Sequence, residues 1–169
     1  NNNFMKKRIY QIILLIIYIS LLVFFTIESL KDGNSTMESS NRISFLVRDI
    51  IKFFTGINIE IDDNFNYIIR KFIGHFSYFC VLGIVSSLLY FSFNNGKNYH
   101  KLAIIHFSSG FIFAFITEFV FELFTSGRSA SFKDVMIDFL GFIFISPIIF
   151  YYTFYTKPYI FVTNFEKRQ

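Results

Sequence analysis

Thr117-Glu118-Phe119-Val120-Phe121-Glu122-Leu123-Phe124-Thr125-Ser126-Gly127-Arg128-Ser129-Ala130-Ser131-Phe132-Lys133-Asp134-Val135-Met136-Ile137-Asp138 sets four acids and an arginine around one tight turn between two apolar runs. Each run is long enough to cross a bilayer, and an ionisable side chain inside a spanning helix is costly unless it is paired and faces the protein interior. Glu118 and Glu122 stand four residues apart, as do Asp134 and Asp138, so each helix carries a polar stripe along one face. Such stripes belong inside a bundle of membrane helices and suggest a functional site.

Outward from this hairpin, composition points to the same class. Of 169 residues only 17% are charged and 53% are hydrophobic, against roughly 25% charged for a soluble domain. Mean hydropathy is +0.48. Four segments carry little or no charge over a spanning length, namely Ile9 to Ile27, Phe72 to Phe93, Leu102 to Thr125 and Val135 to Tyr155, each near the ~20 residues that a ~30 Å hydrocarbon core demands. The expected fold class is all-α, a polytopic integral membrane protein with four transmembrane helices and an outer amphipathic interfacial helix. One domain is expected over residues 5–169, with Asn1-Asn2-Asn3-Phe4 read as a cloning remnant ahead of a natural start at Met5. Lys6-Lys7-Arg8 before an apolar run imitates a signal peptide, but the run is too long and ends without a small-residue cleavage site, so a retained first helix is expected.

The same basic flank puts the amino terminus in the cytoplasm by the positive-inside tendency. Alternation then leaves the Asn94 to Lys101 loop and the tail with Lys167 and Arg168 inside, and Lys31 to Lys71 and the Thr125 to Asp134 hairpin outside. The formal charge of +4 does not indicate nucleic acid, since no soluble segment alternates basic and aromatic residues; basic ends meeting lipid headgroups account for it. Membrane lipids are the expected partners. Tyrosines near helix ends, Tyr10, Tyr18, Tyr90, Tyr99, Tyr151, Tyr152 and Tyr155 among them, suit the interface. Cys80 is the single cysteine, reads as a packing residue, and excludes an internal disulfide.

In the outer segment Ile43, Leu46, Val47, Ile50, Ile51, Phe53 and Phe54 recur at helical spacing, with Arg42, Arg48, Asp49 and Lys52 on the other side. The pattern predicts an amphipathic helix capped at Ser40 or Asn41 and closed at Gly56. It would lie in the outer leaflet or serve as an ordinary packing helix of a small cap. Ile57, Ile59 and Ile61 then alternate with Asn58, Glu60 and Asp62, which hints at a short extended stretch.

The second spanning helix opens Arg70-Lys71-Phe72-Ile73-Gly74-His75-Phe76-Ser77-Tyr78-Phe79-Cys80-Val81-Leu82-Gly83, where Lys71, His75, Tyr78 and Leu82 share a face. Entering from outside, these polar groups reach the depth of Glu118, Glu122, Asp134 and Asp138, with Arg128 in the hairpin joining them. Polar groups of three helices therefore converge at one level. The two blocks, Arg-Lys-x-x-x-His-x-x-Tyr-x-x-Leu-Gly at Arg70 to Gly83 and Glu-x9-Arg-x5-Asp-x6-Gly at Glu118 to Gly141, resemble the VanZ-like membrane proteins over most of the chain. The resemblance implies a small multi-pass protein of the bacterial plasma membrane whose namesake is associated with low-level resistance to the glycopeptide teicoplanin, without a settled reaction. Arg70, Lys71, His75, Tyr78, Glu118, Arg128, Asp134 and Gly141 match the family pattern, while Glu122 stands where Gln is expected and Asp138 where Asn is expected.

Three kinds of chemistry suit such a cluster. A structural ion network would hold together helices that lack a hydrophobic drive to associate in lipid. A binding site for a lipid-linked cell-wall precursor, a lipoglycopeptide or another anionic ligand would use Arg70, Lys71, Tyr78, Glu122, Arg128 and Asp138, the cations contacting phosphate or carboxylate. An acid/base enzyme would use His75 with Glu118 and Asp134. Hard acids plus imidazole suit a divalent ion, but the nearby Arg and Lys side chains compete for those carboxylates, so neither a metal nor another cofactor is expected. Ser126, Ser129 and Ser131 lack a nucleophile-elbow motif. His106, beside Ser108, Ser109 and Gly110, reads as a packing histidine. A transporter is disfavoured, since four helices leave little room for a path and no inverted repeat is visible. The oligomeric state stays open.

Overall fold

A computed structural model of the chain describes residues 2–93, 99–127 and 129–160. Most of the expected inner loop and the basic tail with Lys167 and Arg168 lie outside the described residues. Among the described residues five helices follow one another. α1 covers Asn2–Ser29 and α2 covers Gly33–Thr55. α3 runs from Asp63–Ile69 through Arg70–Phe76 to Ser77–Phe93, and α4 from Tyr99–Phe115 through Ile116–Val120 to Phe121–Phe124. α5 covers Phe132–Ile160. All but α2 are long and apolar enough to span a membrane, over Phe4–Ser29, Asp63–Phe93, His100–Phe124 and Phe132–Tyr152. The chain is an all-α membrane protein of four spans.

Its burial is inverted relative to a soluble bundle. Ile12, Ile16, Phe144 and Ile148 are all more than half exposed, whereas His106, Glu118, Asp138, Ser86, Ser87 and Ser146 are fully buried. Lipid tails are as apolar as the outward side chains, so association relies on close packing and interior hydrogen bonds. Two glycines permit that packing between α3 and α5. A Cβ on Gly83 would lie 2.1 Å from the Phe142 carbonyl oxygen, and one on Gly141 would lie 2.4 Å from that of Phe76. Around this seam Phe25, Phe79, Leu82, Ala114, Val135 and Phe142 form the apolar core.

α1 leans on α3 through Tyr78, which donates its hydroxyl proton to the Leu21 carbonyl and stacks on Phe25 with ring centroids 4.5 Å apart. At the other end of α1, Gln11 donates to the Ser92 carbonyl at 2.6 Å.

Two helix starts differ from expectation. α2 begins at Gly33, earlier than Ser40 or Asn41, because Asp32 caps it by accepting from the Ser35 N–H at 2.7 Å. Its first turn is also anchored across the fold, the Gly33 N–H donating to Ser126 at 3.2 Å. A polar first stretch with no apolar period concealed this start. Gly56 closes the helix in the left-handed region at φ 71°, as expected. The stretch 57–62 forms neither helix nor strand, so the alternating isoleucines build no sheet. α3 likewise starts at Asp63, capped by Asp62 on the Phe65 N–H at 2.7 Å, well before the apolar run at Phe72.

Candidate functional site

Two spanning helices leave the α-helical pattern where they carry charge. Arg70–Phe76 of α3 and Ile116–Val120 of α4 are π-helical turns. An extra residue per turn re-aims the side chains, and such bulges often occur at functional sites. The first delivers Lys71 and His75 to the interior, and the second delivers Glu118.

The groups meet in a dry ion network. Lys71 Nζ lies 2.5 Å from Asp134 Oδ2 and 3.8 Å from Glu118 Oε2. His75 Nδ1 lies 3.3 Å from both Glu118 Oε1 and Asp138 Oδ1. Glu122 extends the array, since carboxylate oxygens of Glu118, Glu122 and Asp134 fall within 4.8 Å of one another. Lys71 is 2% exposed, Glu118 and Asp138 are 0% exposed, and the Phe25 and His75 rings stand perpendicular with centroids 5.6 Å apart. Charges so far from water require partners, and in this network each basic group serves two acids.

The expected site residues therefore separate into groups. Lys71, His75, Glu118, Glu122, Asp134 and Asp138 come together. Tyr78 does not join them; its ring and hydroxyl are engaged with α1. Arg128 lies outside the described residues. Arg70, although next to Lys71, faces a surface groove of about 190 Å³ with Met37, Ser40, Asp63, Asn66 and Tyr67. Instead of one polar pocket opening outward, there is a sealed network and, beside it, an open groove. The wall of that groove was unread in the sequence, although Asp63, Asn66, Tyr67 and Arg70 fall at i, i+3, i+4 and i+7, the spacing of one helix face.

As for a metal, the ligand atoms of His75, Glu118 and Asp138 also lie within 4.8 Å of one another, a donor set that suits a divalent ion. The Lys71 ammonium, 3.8 Å from Glu118 and 2.5 Å from Asp134, competes with a metal for these carboxylates, so the residues fit an ion network better than a metal centre.

A second buried polar array lies further along the same helices. His106 Nδ1 is 3.0 Å from Ser86 Oγ, and its Nε2 is 3.0 Å from Ser146 Oγ and 3.3 Å from Ser87 Oγ. The histidine packs against Phe142 at 4.6 Å, so the packing role expected for it holds, with hydrogen bonds to α3 and α5 added.

Matched against protein-family models, curated proteins and solved structures, the chain returns no match.

Proposed function

We propose that the chain is a VanZ-like protein of a bacterial plasma membrane, amino terminus inside, that binds a lipid-linked or other anionic cell-envelope ligand at the hairpin end of the bundle and thereby lowers sensitivity to teicoplanin-type glycopeptides. The observation that carries this reading is the division of labour within one π-turn. Lys71 and His75 are tied into the buried network, while Arg70 faces an open groove. The network acts as a rigid frame and the arginine as the ligand contact, since a guanidinium can grip phosphate or carboxylate through two parallel hydrogen bonds.

Expression in a glycopeptide-sensitive Gram-positive host tests it. The wild type should raise the inhibitory concentration of teicoplanin, and Arg70→Gln should remove the protection while membrane level and melting temperature stay unchanged. Full protection by Arg70→Gln would overturn the reading. Orientation is checked with Asn58→Cys in a Cys80→Ser background, which should react with an impermeant thiol reagent added outside intact cells.

The arrangement of His75 between Glu118 and Asp138 favours a second reading, a membrane enzyme that acts on a lipid-linked cell-wall or phospholipid substrate by acid/base chemistry. Binding needs no proton shuttle, so His75→Gln should retain partial protection. Complete loss in a stable, normally inserted His75→Gln protein would favour the enzyme.

A further inference from the structure

The groove beside the network presents charge of both signs. Asp63, Asn66, Tyr67 and Arg70 of α3 form one wall, and Met37 and Ser40 of α2 form the other. Among the described residues neither Asp63 nor Arg70 enters an ion pair. Among the described residues Arg70 Nε and Asn66 Oδ1, both shielded from water, have no hydrogen-bond partner. Asp63, Asn66, Tyr67 and Arg70 follow one another at i, i+3, i+4 and i+7 along one face of the helix, so Asp63 and Arg70 bound the same groove.

The depth of the groove narrows what can fill it. The span Asp63–Phe93 has 31 residues, about 46 Å at ~1.5 Å per residue, against a hydrocarbon core of about 30 Å. In the sequence the apolar run ends at Phe93, where Asn94-Asn95 follow. Counted back from Phe93, the ~20 residues that cross the hydrocarbon end near Gly74. By that count Asp63 to Arg70 fall at headgroup depth.

We infer that the groove holds a phospholipid headgroup of the phosphoethanolamine type, with the phosphodiester on Arg70 and the primary ammonium on Asp63. The inference rests on the preceding reading of Arg70 as the ligand contact and narrows it: the group Arg70 grips is an anionic phosphodiester, and the same headgroup carries an ammonium as well. A purely anionic headgroup would set its phosphate near the Asp63 carboxylate with no cation to offset it. A choline headgroup carries positive charge but has no N–H to donate. A primary ammonium supplies both, donating to Asp63, while Tyr67, 48% exposed, lines the groove.

The test uses the full chain in detergent, titrated with phosphatidylethanolamine, phosphatidylglycerol or phosphatidylcholine of identical acyl chains and followed by native mass spectrometry. Phosphatidylethanolamine should bind about tenfold more tightly than the other two, the scale of one charge-assisted hydrogen bond. Asp63→Asn should abolish that preference while leaving phosphatidylglycerol binding in place, and Arg70→Gln should weaken all three. Both residues lie outside the buried network, and Asp62 retains the cap, so both variants should melt like the wild type. Arg70-dependent binding with no preference for the ammonium lipid would overturn this inference and leave the broader reading standing. Binding of every lipid unchanged by Arg70→Gln would overturn both.

Discussion

The same three helices, α3, α4 and α5, build two buried polar regions of opposite character. Near the hairpin, Lys71 and His75 meet Glu118, Glu122, Asp134 and Asp138. Further along, the ring nitrogens of His106 meet the hydroxyls of Ser86, Ser87 and Ser146. The charged region is reached through π-turns in α3 and α4, whereas the neutral one sits on regular α-helix. Side-chain reach and independence explain the difference. A serine can satisfy itself locally, as Ser87 does by donating to the Gly83 carbonyl and Ser146 to that of Phe142, both at 2.7 Å. A buried carboxylate or ammonium has no such local recourse, so the backbone must bring it to a partner on another helix. Lys71, His75 and Glu118 therefore sit on reshaped turns of α3 and α4, whereas Asp134 and Asp138, like the serines, lie on regular helix.

The largest expected effect breaks the charged region. Lys71→Met leaves Asp134 and Glu118 without their ammonium and should destabilise the protein in detergent by about 3 to 5 kcal/mol, the cost of stranding a buried charge. Lys71→Met/Asp134→Leu should recover a substantial part of that loss, because an apolar pair replaces the ion pair. Denaturant titration of the two variants checks the pair, and equal loss in both would mean that Asp134 is not the principal partner.

Next in size is the seam that both regions share. Gly83→Ala pushes a methyl group against the Phe142 carbonyl and to 3.1 Å from Ser146 Oγ, and overpacking of this kind costs about 1 to 3 kcal/mol. Gly141→Ala does the same against Phe76, at the end of the π-turn. Thermal melts should fall for both. Single-cysteine crosslinking along α3 and α5 should locate the opening toward the His106 end for Gly83→Ala and toward the hairpin end for Gly141→Ala.

His106→Phe probes the neutral region alone. It retains an aromatic ring beside Phe142 and removes the hydrogen bonds, so the loss should be about 1 kcal/mol, since Ser87 and Ser146 fall back on their own helices. A loss as large as that of Lys71→Met would erase the contrast between the regions.

The smallest effect is electrostatic and lies outside the spans. Hydrogen bonds from Ser35, side chain and backbone, hold the Asp32 carboxyl below its ordinary 3.8. A lowered folded value means that the cap's contribution is complete above the unfolded value and is lost as pH falls through the folded one. The Ser35 amide resonance should follow that acid titration, and Asp32→Asn, which still caps, should abolish it. An unaltered titration in Asp32→Asn would assign it to another group.

Much of this could be read from residue order. Runs such as Phe72 to Phe93 cannot leave a membrane without exposing apolar area, and acids four apart in Glu118/Glu122 and Asp134/Asp138 cannot face lipid, so spans and a shared polar level follow from local chemistry. The π-turns were not legible, because Arg70 to Phe76 contains nothing that dictates an extra residue per turn; the buried partners on α4 and α5 hold it. The start of α2 was hidden for a related reason, its first turn being anchored by Ser126, far away in sequence.

Local chemistry thus suffices for the class of the protein, its four spans and the company its charges must keep, since burial cost and helical spacing act within a few residues. Which neighbour each charge takes was settled by the folded bundle. Adjacent in sequence, Lys71 is sealed against Asp134 while Arg70 faces the groove, and a separation of that kind depends on where α2, α4 and α5 place their atoms, which no pattern within α3 encodes.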